Sequence, residues 1–168
     1  LVVTFIGFAV MGNYGGEFEG AQIAKTVGDV LLCVLFGTSF AAFVENFIST
    51  QGGIGAVSTL ISALYGFICG AYMPISEFGE GVGNAISYLP GTYTMGLLRN
   101  DFLDGVLSDV SAVMPSEFVD SVKDVFDVNM YFDGSAVSQS SMYVIVIIAA
   151  AVFLGAYIMV NKFRENAK

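Results

Sequence analysis

The sequence predicts an all-α integral membrane protein, a bundle of transmembrane helices with short amphipathic helices on the extracytoplasmic side. Three observations predict it. Residues 46–76, between Glu45 and Glu77, carry no charge. A helix crosses the hydrocarbon core with roughly 20 apolar residues, so this run is long enough to turn and cross. Residues 142–160 are again uncharged, and the tail that follows holds Lys162, Arg164 and Lys168 against Glu165. Composition agrees: 55% of residues are apolar and only 12% charged, with a mean hydropathy of +0.75, which is a membrane rather than a soluble balance.

Residues 1–11 are apolar but too short to span, and read as the end of a truncated transmembrane helix. The chain opens on Leu1 inside that run with no basic segment before it, so it reads as a fragment of a longer protein and not as a signal peptide. Residues 12–25, with paired glycines, Glu17 and Glu19, form an extracytoplasmic loop. The next transmembrane helix covers residues 26–48, with Asp29 and Glu45 near its ends. Residues 49–52 make a tight cytoplasmic turn, since glycine and small polar residues punctuate helices. A second full span covers 53–73 and the last 139–161, leaving 162–168 as the tail. That tail is basic and therefore cytoplasmic. Alternation of the spans then places the long segment before the last span outside, where it carries ten acids and, as bases, only Arg99 and Lys123.

Residues 74–100 predict broken or re-entrant outer helices. Phe78, Val82, Ile86 and Leu89 recur at helical spacing, interrupted by Gly79, Gly81 and Gly83 and ended by Pro90. Residues 101–138 predict an amphipathic helical hairpin. One arm carries Phe102, Leu103, Val106, Leu107 and Val110, with Asp101, Asp104 and Asp109 off the stripe. The other carries Phe118, Val119, Val122, Val125 and Phe126, with Asp120, Lys123, Asp124 and Asp127 facing away. Pro115 and Glu117 suit the start of that second arm. Asp133-Gly134 turns the chain back toward the final span.

The net charge of −9 argues against nucleic acid as a partner, because phosphate binding needs clustered Lys and Arg. There is no His, hence no hydrolytic triad, and a Ser–Lys pair would have to draw on widely separated lysines. Cys33 and Cys69 sit singly in apolar segments and read as reduced packing residues. Gly79-Glu80-Gly81-Val82-Gly83 lacks both a preceding strand and a Lys-Ser/Thr, so helix packing or a kink is the plainer reading than a phosphate loop. Asp127, Asn129, Tyr131 and Asp133 have the spacing of a calcium loop. Phe132 stands where such a loop needs Gly, and an ordinary turn is favoured. The catalytic, cofactor and metal residues expected are therefore none.

Ser58, Ser62, Gly66 and Gly70 stand four apart and form a small-residue ridge, the pattern that lets helix backbones approach. Intramolecular packing is favoured over a subunit interface. A carboxylate at membrane depth is costly and points to function. Asp29 and Glu45 lie near helix ends, where headgroups hydrate them, which favours an interfacial role. The alternative is a place in the transport path or pairing with a neighbouring subunit.

The order Pro74-Ile75-Ser76-Glu77-Phe78, then Leu89-Pro90-Gly91-Thr92-Tyr93, then Leu97-Leu98-Arg99, placed after a membrane run, resembles the C-terminal half of the transmembrane domain of type-2 ABC exporter permeases. In that family a membrane helix ends at a proline, broken outer helices follow, and a Leu-Pro-x-Thr-Tyr-type motif precedes an Arg. The match runs over residues 30–99 and resumes in the last span. The resemblance implies a bacterial, multi-pass cell-membrane permease of six spans, of which this chain holds the end of the third and all of the fourth to sixth. It implies no enzyme activity in these residues and no cofactor of their own, with ATP and Mg on a separate ABC ATP-binding subunit. It implies a dimer with a second copy or a paralogue, and a gating or transport role for Pro90, Tyr93 and Arg99, with Arg99 at headgroup level or paired with an acid such as Asp101 or Glu77. The interior residues on offer are apolar or small hydroxyls without a cationic cluster, so an amphipathic or hydrophobic substrate is expected. The rival reading is an ATP-independent membrane transporter or a membrane-anchored docking protein.

Overall fold

The structure, a computed structural model, describes residues 6–7, 9–10 and 20–166. The expectations for residues 1–5, for most of the 12–25 loop and for Lys168 lie outside the described residues. Helix α1 (Gly20–Glu45) is followed by α2 (Gln51–Ile68), a single 3-10 turn (Ile75–Glu77), α3 (Glu80–Ile86), α4 (Pro90–Val113) and α5 (Ser116–Val125). A two-stranded antiparallel ribbon, β1 (Tyr131–Phe132) and β2 (Ser135–Ala136), precedes the last helix, α6 (Gln139–Asn166). Ile6, Gly7, Ala9 and Val10 are also helical.

The described chain is thus predominantly helical, and three helices, α1, α2 and α6, are long and apolar enough to cross a membrane by length and composition. Their surfaces agree. Leu31, Leu60, Leu64, Ile147, Val152 and Ile158 are all more than 40% exposed, and a contiguous apolar exterior of that kind is uncommon on a soluble monomer. The core lies where α1, α4 and α6 pack on one another pairwise, around Phe36, Leu97, Met142, Val146 and Ala150. Helix α2 stands apart, with no buried residue of its own. It meets α1 through Tyr65, whose ring stacks on Phe40 at 5.6 Å between centroids.

Several boundaries differ from the sequence reading. Helix α1 takes in residues 20–25 ahead of the expected start at Thr26, and there Gln22 buries its side chain and donates to the Asp101 carbonyl at 3.1 Å. Helix α2 ends before Gly70, not at Pro74. Gly70 takes a φ of +78°, its N–H donates to the Phe67 carbonyl at 3.1 Å, and the Ala71 N–H donates to the Gly66 carbonyl at 2.9 Å. That pair of bonds is a Schellman cap, which glycine alone makes without a Cβ penalty. At the other end the Thr50 side chain accepts from the Gly53 N–H at 3.2 Å, an N-cap.

The break expected near residue 100 is absent: α4 runs without interruption from Pro90 to Val113, with Pro90 in its first turn, where its missing N–H costs nothing. Pro115 is the residue before α5 rather than within its first turn. The segment after α5 is not a simple return. Asp133 and Gly134 both have positive φ, 47° and 74°, and close a two-residue hairpin of the primed-turn kind that Asp-Gly favours. The stripes expected to be buried are only partly so. Ile86 and Val119 are buried, while Val82, Val106, Phe118, Val125 and Phe126 are exposed.

Candidate functional site

The Leu-Pro-Gly-Thr-Tyr run builds a corner between α3 and α4. Leu89 is the extended residue before the helix, and Pro90 fixes the first turn. The next side chains reach backward: Thr92 Oγ1 donates to the Ile86 carbonyl at 3.0 Å and the Tyr93 hydroxyl donates to the Ser87 carbonyl at 2.6 Å. The Ser87 carbonyl, just past the end of α3, takes its bond from Tyr93, while the Ile86 carbonyl accepts from the Leu89 N–H as well as from Thr92. Tyr93 is 3% exposed, and burial pushes its phenol above the ordinary value. Gly91 faces α2, and a Cβ there would overlap the Tyr65 ring. One turn on, a Cβ at Gly96 would lie 2.8 Å from Met130 Cγ. The two glycines let α2 on one side and the hairpin segment on the other close against α4.

Arg99 is the centre of a clasp. Its guanidinium pairs with Asp127 at 3.2 Å and also donates to the Gly70 carbonyl. Asp127 Oδ2 in turn accepts from the Ile75 N–H. Four separate stretches are fastened here: the cap of α2, the 3-10 turn, α4 and the loop after α5. Asn100 adds a second tie, donating to the Val128 carbonyl at 2.7 Å. The partner of Arg99 is therefore Asp127, not Asp101 or Glu77. Asp127 and Asp101 had been placed on solvent-facing sides, yet each is 5% exposed or less. Asp127 points inward because it sits past the end of α5, at φ +48°, where the helical period that set its expected face has stopped.

Two concavities flank the corner. Between α1 and α2 lies an apolar cleft of about 400 Å³, lined by Phe36, Phe40, Tyr65, Ser58, Ser62 and Glu45 among others. On the other side of Tyr93, a more polar cavity of about 480 Å³ is lined by Asn84, Ser87, Thr92, Asp124, Asp127 and Asn129. Asp124 Oδ1 there accepts from Asn129 Nδ2 at 3.0 Å and from the Tyr131 hydroxyl at 3.2 Å. Burial and the Asp124 charge both push the Tyr131 phenol up. The calcium-loop spacing is thus spent on a hairpin, and among the described residues no group of three or more metal-ligating side chains occurs.

The residues singled out from the sequence fall into three places. Pro90, Tyr93, Arg99 and Gly70 come together at the corner and clasp. Glu45, Ser58, Ser62 and Gly66 line the apolar cleft. The four small residues do not form a helix-packing ridge within the chain: Ser58 and Ser62 are exposed, Gly66 accommodates Tyr72 of its own turn, and Gly70 is the cap. Asp29 lies elsewhere, 2% exposed against α4 and α6 rather than hydrated at a helix end. Its neighbours Asp101, Gln139 and Tyr143 escape a reading by spacing, because each comes from a different helix or an unremarkable helical position. Compared with known proteins, the chain matches no family model, no curated sequence and no solved structure.

Proposed function

We propose that the chain is the C-terminal part of the permease of an ABC exporter, which moves an amphipathic or hydrophobic substrate out across the cell membrane. ATP and Mg would be handled by a separate ATP-binding subunit, and the chain itself would have no enzyme activity. The observation that carries the reading is the corner built by the Leu89–Tyr93 residues together with the Arg99–Asp127 clasp. It holds one end of α2 against α4 beside an apolar cleft. A structure that fastens one end of α2 to α4 while leaving an apolar cleft between α2 and α1 suits a lateral path for a greasy molecule. Glu45 at the cleft wall favours a cationic group on that molecule.

In this reading α1, α2 and α6 span the bilayer, the basic tail is cytoplasmic, and α3–α5 lie outside. The uncovered faces of α2 would meet a second permease copy or a paralogue, since one set of helices encloses no pathway. The test is full-length permease in lipid vesicles together with the ATPase that copurifies with it. ATP-dependent transport of a lipophilic cation, lost when the ATPase is omitted, is expected. Transport that ignores ATP, or a full-length permease that recovers no ATPase, overturns it.

One observation favours a second reading, a membrane-anchored docking protein. Phe118 and Val125 of the acidic helix α5, and Phe126 just past its end, are each at least 50% exposed, which is the composition of a surface awaiting a partner. Deleting the α5 hairpin while transport continues would separate that role from the permease.

A further inference from the structure

Where α1, α4 and α6 meet, a group of polar side chains stands apart from both clasp and cleft. Asp29 on α1 and Asp101 on α4 are each 2% exposed. The Tyr143 hydroxyl of α6 lies between them, 2.5 Å from Asp29 Oδ1 and 3.0 Å from Asp101 Oδ2. Gln139 Nε2 donates to Asp101 Oδ1 at 2.7 Å, and Gln22 Nε2 donates to the Asp101 carbonyl at 3.1 Å. The Tyr143 hydroxyl thus bridges the two carboxyl groups, and the Asp101 side chain acts on Asp29. Asp29 Oδ2 is fully buried and, among the described residues, has no hydrogen-bond partner.

The donors fall short. A tyrosine hydroxyl has one hydrogen and serves one carboxylate at a time, and Gln139 serves only Asp101. Two adjacent buried negative charges would remain. The charged and titratable groups acting on Asp29 are Lys25 from its own helix, Asp101 from α4 and Tyr143 from α6, and Lys25 is exposed. Buried like charges without an opposing cation are costly enough that the groups neutralise instead. A metal cation of the hard type wants about six or more oxygens. Among the described residues no cluster of three or more ligating side chains is present to supply them. A proton needs only the one orphaned oxygen.

We propose that Asp29 and Asp101 form a proton-binding site, with one proton carried on Asp29 Oδ2 and donated to the Asp101 carboxylate. Every polar atom of the group is then satisfied: Asp29 Oδ2 donates to Asp101, Asp29 Oδ1 accepts from Tyr143, and Asp101 Oδ1 accepts from Gln139. The bound proton joins three helices. Its loss leaves two neighbouring carboxylates in a dry pocket, which drives α1 away from α4. The site makes the packing of α1 against α4 depend on proton binding, and it does so whether or not the transport reading holds.

The test treats full-length protein in lipid vesicles with a hydrophobic carbodiimide, which reacts with protonated carboxyl groups in places water does not reach. Mass spectrometry of the peptides holding Asp29 and Asp101 reads the product. Labelling of the pair at neutral pH is expected, falling about tenfold for each pH unit once the proton leaves. Asp101→Asn should lower labelling of Asp29, because it removes the neighbouring like charge while Tyr143 still donates. Tyr143→Phe, which keeps both acids, should still label, and it serves if an Asn variant fails to fold. No labelling of the native protein at neutral pH overturns the proposal. So does unchanged labelling of Asp29 in Asp101→Asn. Protection by sodium but not potassium at constant pH also overturns it, assigning the pocket to a metal ion.

Discussion

Replacing Arg99 with alanine opens the clasp, and the structure sets the size of the effect. The guanidinium makes an ion pair with Asp127 and a charged hydrogen bond to the Gly70 carbonyl, and the two side chains are 21% and 7% exposed. Hydrogen bonds to charged groups contribute about 1.5–3 kcal/mol each. Partial exposure of Arg99 discounts the sum, so Arg99→Ala should cost the clasp about 2 kcal/mol, which multiplies its open fraction about thirtyfold. Cys69 reports that opening directly. It is 3% exposed and adjoins Gly70. With Cys33→Ala removing the other free thiol, the rate at which a water-soluble thiol reagent labels Cys69 should rise about thirtyfold. Arg99→Lys should fall between, since an ammonium keeps the charge but loses the fork that reaches two acceptors at once. A double-mutant cycle with Asp127→Asn should return a coupling of about 1–2 kcal/mol. Unchanged Cys69 labelling in Arg99→Ala, or a coupling near zero, refutes the clasp as a fastening. Loss of transport with membrane insertion intact links it to gating, and normal export by both Arg99→Ala and Pro90→Ala rejects that link.

Three further outcomes are expected. Gly91→Ala pushes its new methyl into the Tyr65 ring and should destabilise the α2–α4 approach by about 1–3 kcal/mol, measured by thermal unfolding, with Tyr65→Leu in the same chain restoring most of the loss. Tyr93→Phe removes the bond to the Ser87 carbonyl at about 1 kcal/mol. Because the folded phenol is raised above its ordinary value of 10.0, its contribution is complete below that pH and is lost as pH rises through the folded value; the gap between native and Tyr93→Phe stability should therefore narrow in the alkaline range. In sealed vesicles of known orientation, Lys168→Cys should label only from the cytoplasmic side and Ser116→Cys only from outside; labelling of both from one face overturns the topology.

The sequence by itself determined the long apolar helices, an outer helix that opens beside Pro115, and the Asp133-Gly134 turn. All three rest on interactions between residues close in the chain: backbone periodicity, a fixed φ, a tolerated positive φ. Pro90 reads in the sequence as the end of a helix, whereas it opens α4. The same locality explains the misplaced end of α2, since Gly70 and Pro74 are both credible stops and only the capping bonds to Phe67 and Gly66 choose between them. What tertiary structure alone decided is which charges go inside. Asp101 and Asp127 look like the other acids of the outer segment, yet one turns to Gln139 and Tyr143 and the other to Arg99. A buried carboxylate is stable only where its partners are, and those partners sit between 28 and 42 residues away in the chain. The Asp29 site joins its acids through Tyr143, 114 residues from Asp29. No spacing rule reaches that far; the packing of α1, α4 and α6 brings those side chains together.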